Sequence, residues 1–186
     1  MTKPIRRALY GGSFDPPHFG HLFLIQYLLE SGHVDEVRLI PCNDHPLGKK
    51  LSPFADRASW CEALIKPFNG RAVVDTVEAE LPIPSYSFQT AEALAALFPG
   101  DELRWVIGTD AAAQLDQWVE SHRLMAVAPL LIIGRQGAPE HPNQLPLSMP
   151  DVSSSTIRQR LRSGQTLSGL VPERVLLILS KSVAFN

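Results

Sequence analysis

One short segment constrains this chain more than any other. Residues 11–22 read G-G-S-F-D-P-P-H-F-G-H-L, between an apolar run, Ile5 to Tyr10, and an amphipathic one, Gly20 to Ser31. The first run has the length of a strand. The second carries Leu22, Ile25, Leu28 and Leu29 on one face at helical spacing, with Gly32 just past its end. A strand that turns through paired glycines into a helix opens a parallel βαβ unit. The rest of the chain repeats the alternation. Glu36 to Ile40, Arg71 to Thr76, Leu103 to Ile107 and Leu130 to Ile133 read as further strands. Phe54 to Lys66 (Trp60, Ala63 and Leu64 inward), Phe88 to Phe98, Ser155 to Arg162 and Pro172 to Ser182 read as helices, and another begins at Ala111 to Leu115. The strands are short and continuously apolar, as expected when both sheet faces are covered. This pattern predicts an α/β fold: a doubly wound parallel sheet with strand order 3-2-1-4-5 and a C-terminal helical segment. Pro41 to Pro53 and Gln136 to Val152 read as long irregular loops.

The length, 186 residues, suits a single domain over 1–186. A 45% hydrophobic and 19% charged composition excludes a disordered or fibrous chain. Seventeen Lys and Arg against nineteen Asp and Glu leave a net charge of −2, so no basic surface for nucleic acid is expected. Leu124 to Ile133 is the longest strongly apolar stretch. Pro129 interrupts it, and it falls far short of the ~20 residues of a membrane helix. No apolar run follows Met1 to Arg7, so no secretory signal is expected. Cys42 and Cys61 make no disulfide framework and are expected as free thiols in a cytoplasmic protein. Oligomeric state, a homo-oligomer included, stays open.

The turn at Gly11 to Leu22 is where chemistry is expected. In a doubly wound sheet it faces the crevice at the carboxyl ends of the strands. Gly11 and Gly12 let backbone N–H groups approach an anion, and the helix N-terminus beyond adds about half a positive charge. His18 and His21 are spaced to converge at the helix start. Imidazoles and bare amides suit a phosphate whose charge grows during a reaction. The plain alternatives are a simple turn, or two zinc ligands, for which no third ligand stands at sensible spacing. Neither G-x-x-x-x-G-K-[ST] nor G-x-G-x-x-G is present, which counts against a Walker-type loop and against hydride chemistry. Asp110, just after the fourth strand, suits either ribose binding or a helix N-cap. Ser153 to Ser155 read as a helix N-terminus, with Arg158 within reach of a phosphate and Arg160 and Arg162 at the surface. Trp60 and Trp105 read as core aromatics.

The segment G-G-S-F-D-P-P-H-F-G-H resembles the signature G-G-[ST]-F-D-P-x-H-x-G-H of the (T/H)-x-G-H nucleotidylyltransferase superfamily. Within it the chain resembles the nicotinate-nucleotide adenylyltransferases. Ile107-Gly108-Thr109-Asp110 with Trp118 downstream is similar to their I-G-x-D…W element. Val152 to Arg158 is similar to I-S-S-T-x-I-R, and Ser85-Tyr86-Ser87 with Thr90 to S-Y-T…T.

The resemblance implies a Rossmann-like fold and a reaction of ATP with nicotinate mononucleotide to give deamido-NAD and pyrophosphate, in NAD biosynthesis. It implies that Gly12, Ser13, Phe14, His18 and His21 meet the ATP phosphates, with His21 near the α-phosphate. Ser154, Ser155 and Arg158 would hold the β- and γ-phosphates, so that the helices from about 153 complete the ATP site. His18, His21 and Arg158 would be the catalytic set, and Gly108 and Asp110 would bind adenosine. Lys49, Tyr86, Ser87, Thr90 and Trp118 would meet the mononucleotide, with Arg57 behind Lys49. Backbone N–H groups at Tyr86 to Phe88 would receive the nicotinate carboxylate. Mg²⁺ would arrive with ATP, without a dedicated protein cage and with Asp15 as an auxiliary. One segment departs from the family: Asp44 to Lys50 stands where P-P-H-K is common. That departure leaves open a nicotinamide mononucleotide or dual-specificity enzyme. A non-catalytic nucleotide-binding regulator and a cytidylyltransferase branch also remain open.

Overall fold

The computed structural model of the protein describes residues 3–46, 48–149 and 152–180. Arg6–Gly12 forms β1, and neighbouring residues in it serve opposite faces of the sheet. Ala8 belongs to one hydrophobic core and Leu9 to another, and both are fully buried. The same division separates Leu39 from Ile40 in β2 (Glu36–Pro41) and Val106 from Ile107 in β4 (Glu102–Gly108). It also separates Ile133 from Ile132 in β5 (Leu130–Arg135). Side chains alternate across a strand, so a strand with a core on each face must be apolar throughout.

The first core is closed by α1 (Phe19–Glu30), α2 (Phe54–Ile65), α6 (Ser154–Arg162) and α7 (Glu173–Leu179), with Trp60 at its centre. The second is closed by α3 (Ser87–Leu97) and α5 (Ser121–Val127), with Trp105 inside it. Between β4 and α5 lie α4 (Thr109–Ala112) and a short 3-10 turn, Leu115–Gln117.

Among the described residues the sheet has six parallel strands in the order β3-β2-β1-β4-β5-β6, where β3 is Ala72–Val74 and β6 is Gln144–Met149. β1 pairs with both β2 and β4, so the direction of strand addition reverses there. The turns leaving β1 and β4 diverge, and a crevice opens between them.

The structure departs from the sequence pattern in several places. The stretch Gln136 to Val152 is not all loop, because it contains β6. Pro146 and the half-exposed pattern of β6 hide it, and both are tolerated because this strand is a sheet edge. α5 also escapes the sequence pattern, because Pro129 separates it from β5 within what reads as one apolar run. β3 is shorter than Arg71 to Thr76, being the opposite edge. The helix expected from Ala111 is a single turn followed by a 3-10 turn. The helix expected over Pro172 to Ser182 is observed as Glu173–Leu179, and residues 181–182 lie outside the described residues, as does Leu47 of the atypical 44–50 segment. Among the described residues no helix is long and apolar enough to cross a membrane, and Cys42 and Cys61 are free thiols.

Candidate active site

The N-terminus of α1 is capped by the two histidines of the motif. His18 is the N-cap residue, in extended backbone with φ −147°. Its Nδ1 accepts the Gly20 N–H at 3.1 Å, and the His18 N–H donates to Nδ1 of His21 at 3.1 Å. This is a reciprocal capping box built from imidazoles rather than from a hydroxyl and a carboxylate. The ring centroids lie 3.7 Å apart. Gly20 permits this arrangement: a Cβ there would sit 3.0 Å from both Nδ1 and Cε1 of His18.

The caps also set the protonation. A nitrogen that accepts an N–H carries no hydrogen, so each neutral ring bears its hydrogen on Nε2 and can donate from there. Burial pushes the His18 imidazole down to about 4, with the Arg135 charge adding to it. Burial, then His18, then Arg135 hold His21 well below the ordinary histidine range. Phe14 and Tyr10 pack against His21, with ring centroids 4.9 and 5.9 Å away. The Phe14 side chain is therefore a buried support, and only its backbone, held at φ 46°, is left for a ligand.

Two guanidinium groups fix the turn between β1 and α1. Arg57 of α2, almost wholly buried, donates to the carbonyls of Ser13 (2.9 Å) and Ser52 (2.8 Å). Arg158 of α6 donates to the Asp15 carbonyl at 2.6 Å and to Ser155 Oγ at 3.2 Å. Ser154 Oγ donates to the Pro16 carbonyl at 2.9 Å. Ser153 is the N-cap of α6 and accepts the Thr156 N–H. The sequence motif around Ser153 to Arg158 thus reaches the glycine turn directly.

A crevice of about 830 Å³ runs past the glycine turn, with neither Arg57 nor Arg158 among its lining residues. Gly12, Ser13, His18 and His21 line it, together with Ser153, Ser154 and Ser155. Gly108 and Asp110 line it at the end of β4. A Cβ at Gly108 would lie 2.4 Å from Asp110 Oδ1, so glycine is required for the aspartate to hold its position. Lys49, Tyr86, Ser87 and Trp118 line a further part of its wall, and Lys49 Nζ stands 3.5 Å from Ser13 Oγ.

Thr90 is fully buried behind that wall. Its hydroxyl donates to Glu78 Oε1 at 3.1 Å, while Glu78 Oε2 accepts from Ser85 Oγ at 2.9 Å and the Asn43 N–H at 3.0 Å. The Tyr86 N–H is taken by Gln89 Oε1, which removes one of the α3 amides offered to a carboxylate. Two charged residues that line the crevice were not anticipated from the sequence. Glu78 sits on a 3-10 turn, Val77–Glu80, and Arg135 ends β5 and pairs with Asp110 at 2.8 Å. Among the described residues no group of three or more His, Cys, Asp or Glu side chains converges as a metal cage.

Residues 9–160 match the cytidylyltransferase-like family model. A protein of Anaeromyxobacter dehalogenans named "Probable nicotinate-nucleotide adenylyltransferase" is 40% identical over 172 residues, covering 91% of this chain and 90% of that one. A Myxococcus xanthus protein of the same name is 36% identical over 178 residues, covering 95% and 92%. In three dimensions the chain is similar to the nicotinic acid mononucleotide adenylyltransferase of Plasmodium falciparum complexed with NaAD, with a TM-score of 0.81, 18% identity and 98% of each chain covered. At that identity the likeness concerns the fold alone.

Proposed function

This chain belongs to the nicotinate-nucleotide adenylyltransferase family, within the cytidylyltransferase-like proteins, and on that premise we propose that it is a nucleotidyltransferase of NAD biosynthesis. It joins ATP and nicotinate mononucleotide to give deamido-NAD and pyrophosphate. A 5′-phosphate oxygen of the mononucleotide attacks the α-phosphorus of ATP. The new P–O bond forms as the bond to the β-phosphate oxygen breaks, and pyrophosphate leaves with that electron pair. The attacking phosphate has a second pKa of about 6 and is largely dianionic at neutral pH, so no general base is needed. What is needed is alignment, relief of repulsion between the anions, and donors where charge builds up.

The reciprocally capped, neutral histidine pair is the observation that carries this reading. Two Nε2–H donors of preset tautomer, at the positive end of α1, suit a phosphate oxygen that gains charge in the transition state. His21 acts nearest the α-phosphate. The backbone of Gly12, Ser13 and Phe14 adds donors. Ser154, Ser155 and Arg158 hold the β- and γ-phosphates, so the helices from about residue 153 complete the ATP side of a single nucleotidylyltransferase unit. Gly108 and Asp110 receive adenosine. Lys49, Tyr86, Ser87 and Trp118 receive the mononucleotide, and Thr90 supports them through Glu78. Mg²⁺ would come with ATP, with Asp15 of the glycine turn as its auxiliary protein group, and would supply positive charge against the phosphate oxygens. The enzyme works in the cytoplasm.

The test measures pyrophosphate release with ATP and either nicotinate or nicotinamide mononucleotide, side by side. Faster release with nicotinate mononucleotide supports the assignment. Equal or faster release with the amide would move the enzyme to a dual or nicotinamide specificity. Nucleotide binding with no release would make it a regulator.

A further inference from the structure

We propose that Arg135 is a further catalytic residue, a second cation besides Arg158 that meets the triphosphate and the departing pyrophosphate, and that Asp110 holds it in reserve until adenosine arrives. The proposal rests on the adenylyltransferase reading above. Two polyanions must share one crevice, and its histidines are neutral, so they supply hydrogen-bond donors but no charge. Among the described residues lining the crevice, only Lys49 and Arg135 carry a permanent positive charge. Lys49 stands beside Ser13 on the wall read as the mononucleotide side. Arg158, the cation read for the β- and γ-phosphates on the α6 side, is not among the lining residues and donates to the Asp15 carbonyl and to Ser155.

Arg135 is well placed for the task. In the β4–β5 register Gly108 pairs with Ile133, so Arg135 leaves the sheet beside the turn that carries Asp110. Its guanidinium binds Asp110 Oδ2 at 2.8 Å, with the two side chains 42% and 44% exposed. An ion pair this exposed contributes little and exchanges readily. The carboxylate that holds Arg135 is also the one suited to a ribose. When ribose hydroxyls donate to Asp110, the guanidinium is released beside the phosphates, whose geometry it matches bidentately. The positive charge of Arg135 is felt at both His18 and His21, the groups expected around the reacting phosphate. Adenosine recognition and charge neutralisation become one event.

The reverse reaction isolates the claim, because deamido-NAD and pyrophosphate enter as separate substrates. Wild-type protein, Arg135→Gln and Arg135→Lys are compared with each substrate varied in turn. In Arg135→Gln the KM for pyrophosphate is expected to rise ~10-fold or more and kcat to fall ~10²-fold, with the KM for deamido-NAD within about twofold of wild type. Arg135→Lys, which keeps the charge, recovers part of the loss. Wild-type turnover with an Arg135→Gln variant that matches it would overturn the assignment of Arg135 alone. A rise confined to the KM for deamido-NAD would overturn it too, making Arg135 only a brace for Asp110. A wild-type protein with no turnover in either direction would sink the adenylyltransferase reading and this assignment together.

Discussion

The His18 backbone N–H donates to Nδ1 of His21 at 3.1 Å, so the second histidine of the motif orients the first before any substrate is present. The reverse tie, from the Gly20 N–H to Nδ1 of His18, completes the pair. One set of contacts caps the helix, selects the tautomer and gathers the donors at the positive helix end.

Replacing His21 by alanine removes both a donor and half of the cap. The kcat is expected to fall ~10²-fold, with a much smaller change in ATP affinity, as for a group acting mainly in the transition state. Thermal unfolding should reveal a separate loss of about 1 kcal/mol from the missing cap. Steady-state kinetics with calorimetric ATP titration checks both, and near-normal turnover would remove His21 from the mechanism.

The histidine pair should also mark stability against pH. Burial pushes the His18 imidazole down to about 4, against about 6.5 for a free histidine. The unfolded chain therefore binds a proton that the folded chain refuses. The stabilisation is complete above about pH 6.5 and is lost as pH falls from there towards the folded value, by at most about 1.4 kcal/mol per pH unit for this group. His18→Asn keeps a good N-cap without titrating. Urea unfolding from neutral pH to pH ~4.5 should show a shallower decline in the variant. Parallel declines would mean that His18 is not the group responsible.

Gly20→Ala sets two effects against each other. Helix propensity favours alanine by about 1 kcal/mol. The new Cβ, however, would meet Nδ1 and Cε1 of His18 at 3.0 Å. Since the imidazole must shift, activity is expected to fall about 10-fold or more, because displacements under 1 Å at a reacting centre are costly. The midpoint of thermal unfolding should move little. A variant with full activity would show that His18 need not be held this closely.

Glu78→Ala should act on one substrate only. The carboxylate accepts from the Asn43 N–H, Ser85 and Thr90, and an alanine in its place leaves these donors without their shared acceptor. An unpaired buried donor costs about 1–3 kcal/mol. The KM for the mononucleotide is expected to rise about 10-fold while that for ATP stays near wild type. An equal rise for both would show that Glu78 supports the whole sheet rather than one wall.

The central strands were legible because each feeds two cores: Ala8 with Leu9, or Leu39 with Ile40, leave no polar position to blur the pattern. The edge was not, because β6 is half-exposed and contains Pro146, so its signal is that of a loop. The same contrast divides the site. His18, His21 and Gly20 act on one another within four residues, and a local motif can encode that. Arg135 meets Asp110 only because β5 lies beside β4, and Glu78 meets Asn43, Ser85 and Thr90 only after three segments fold together. Thr90 shows the cost of reading by motif alone: the residue is present, but its hydroxyl serves Glu78.

The turn between β1 and α1 is gripped from one side by Arg57 and from the other by Arg158 and Ser154. Its two holders stand about a hundred positions apart along the polypeptide. During synthesis β1 to β5 are made well before the second holder. The site thus acquires its final shape late, and a nascent chain displays a nucleotide-binding turn well before it can hold that turn firmly enough to use it.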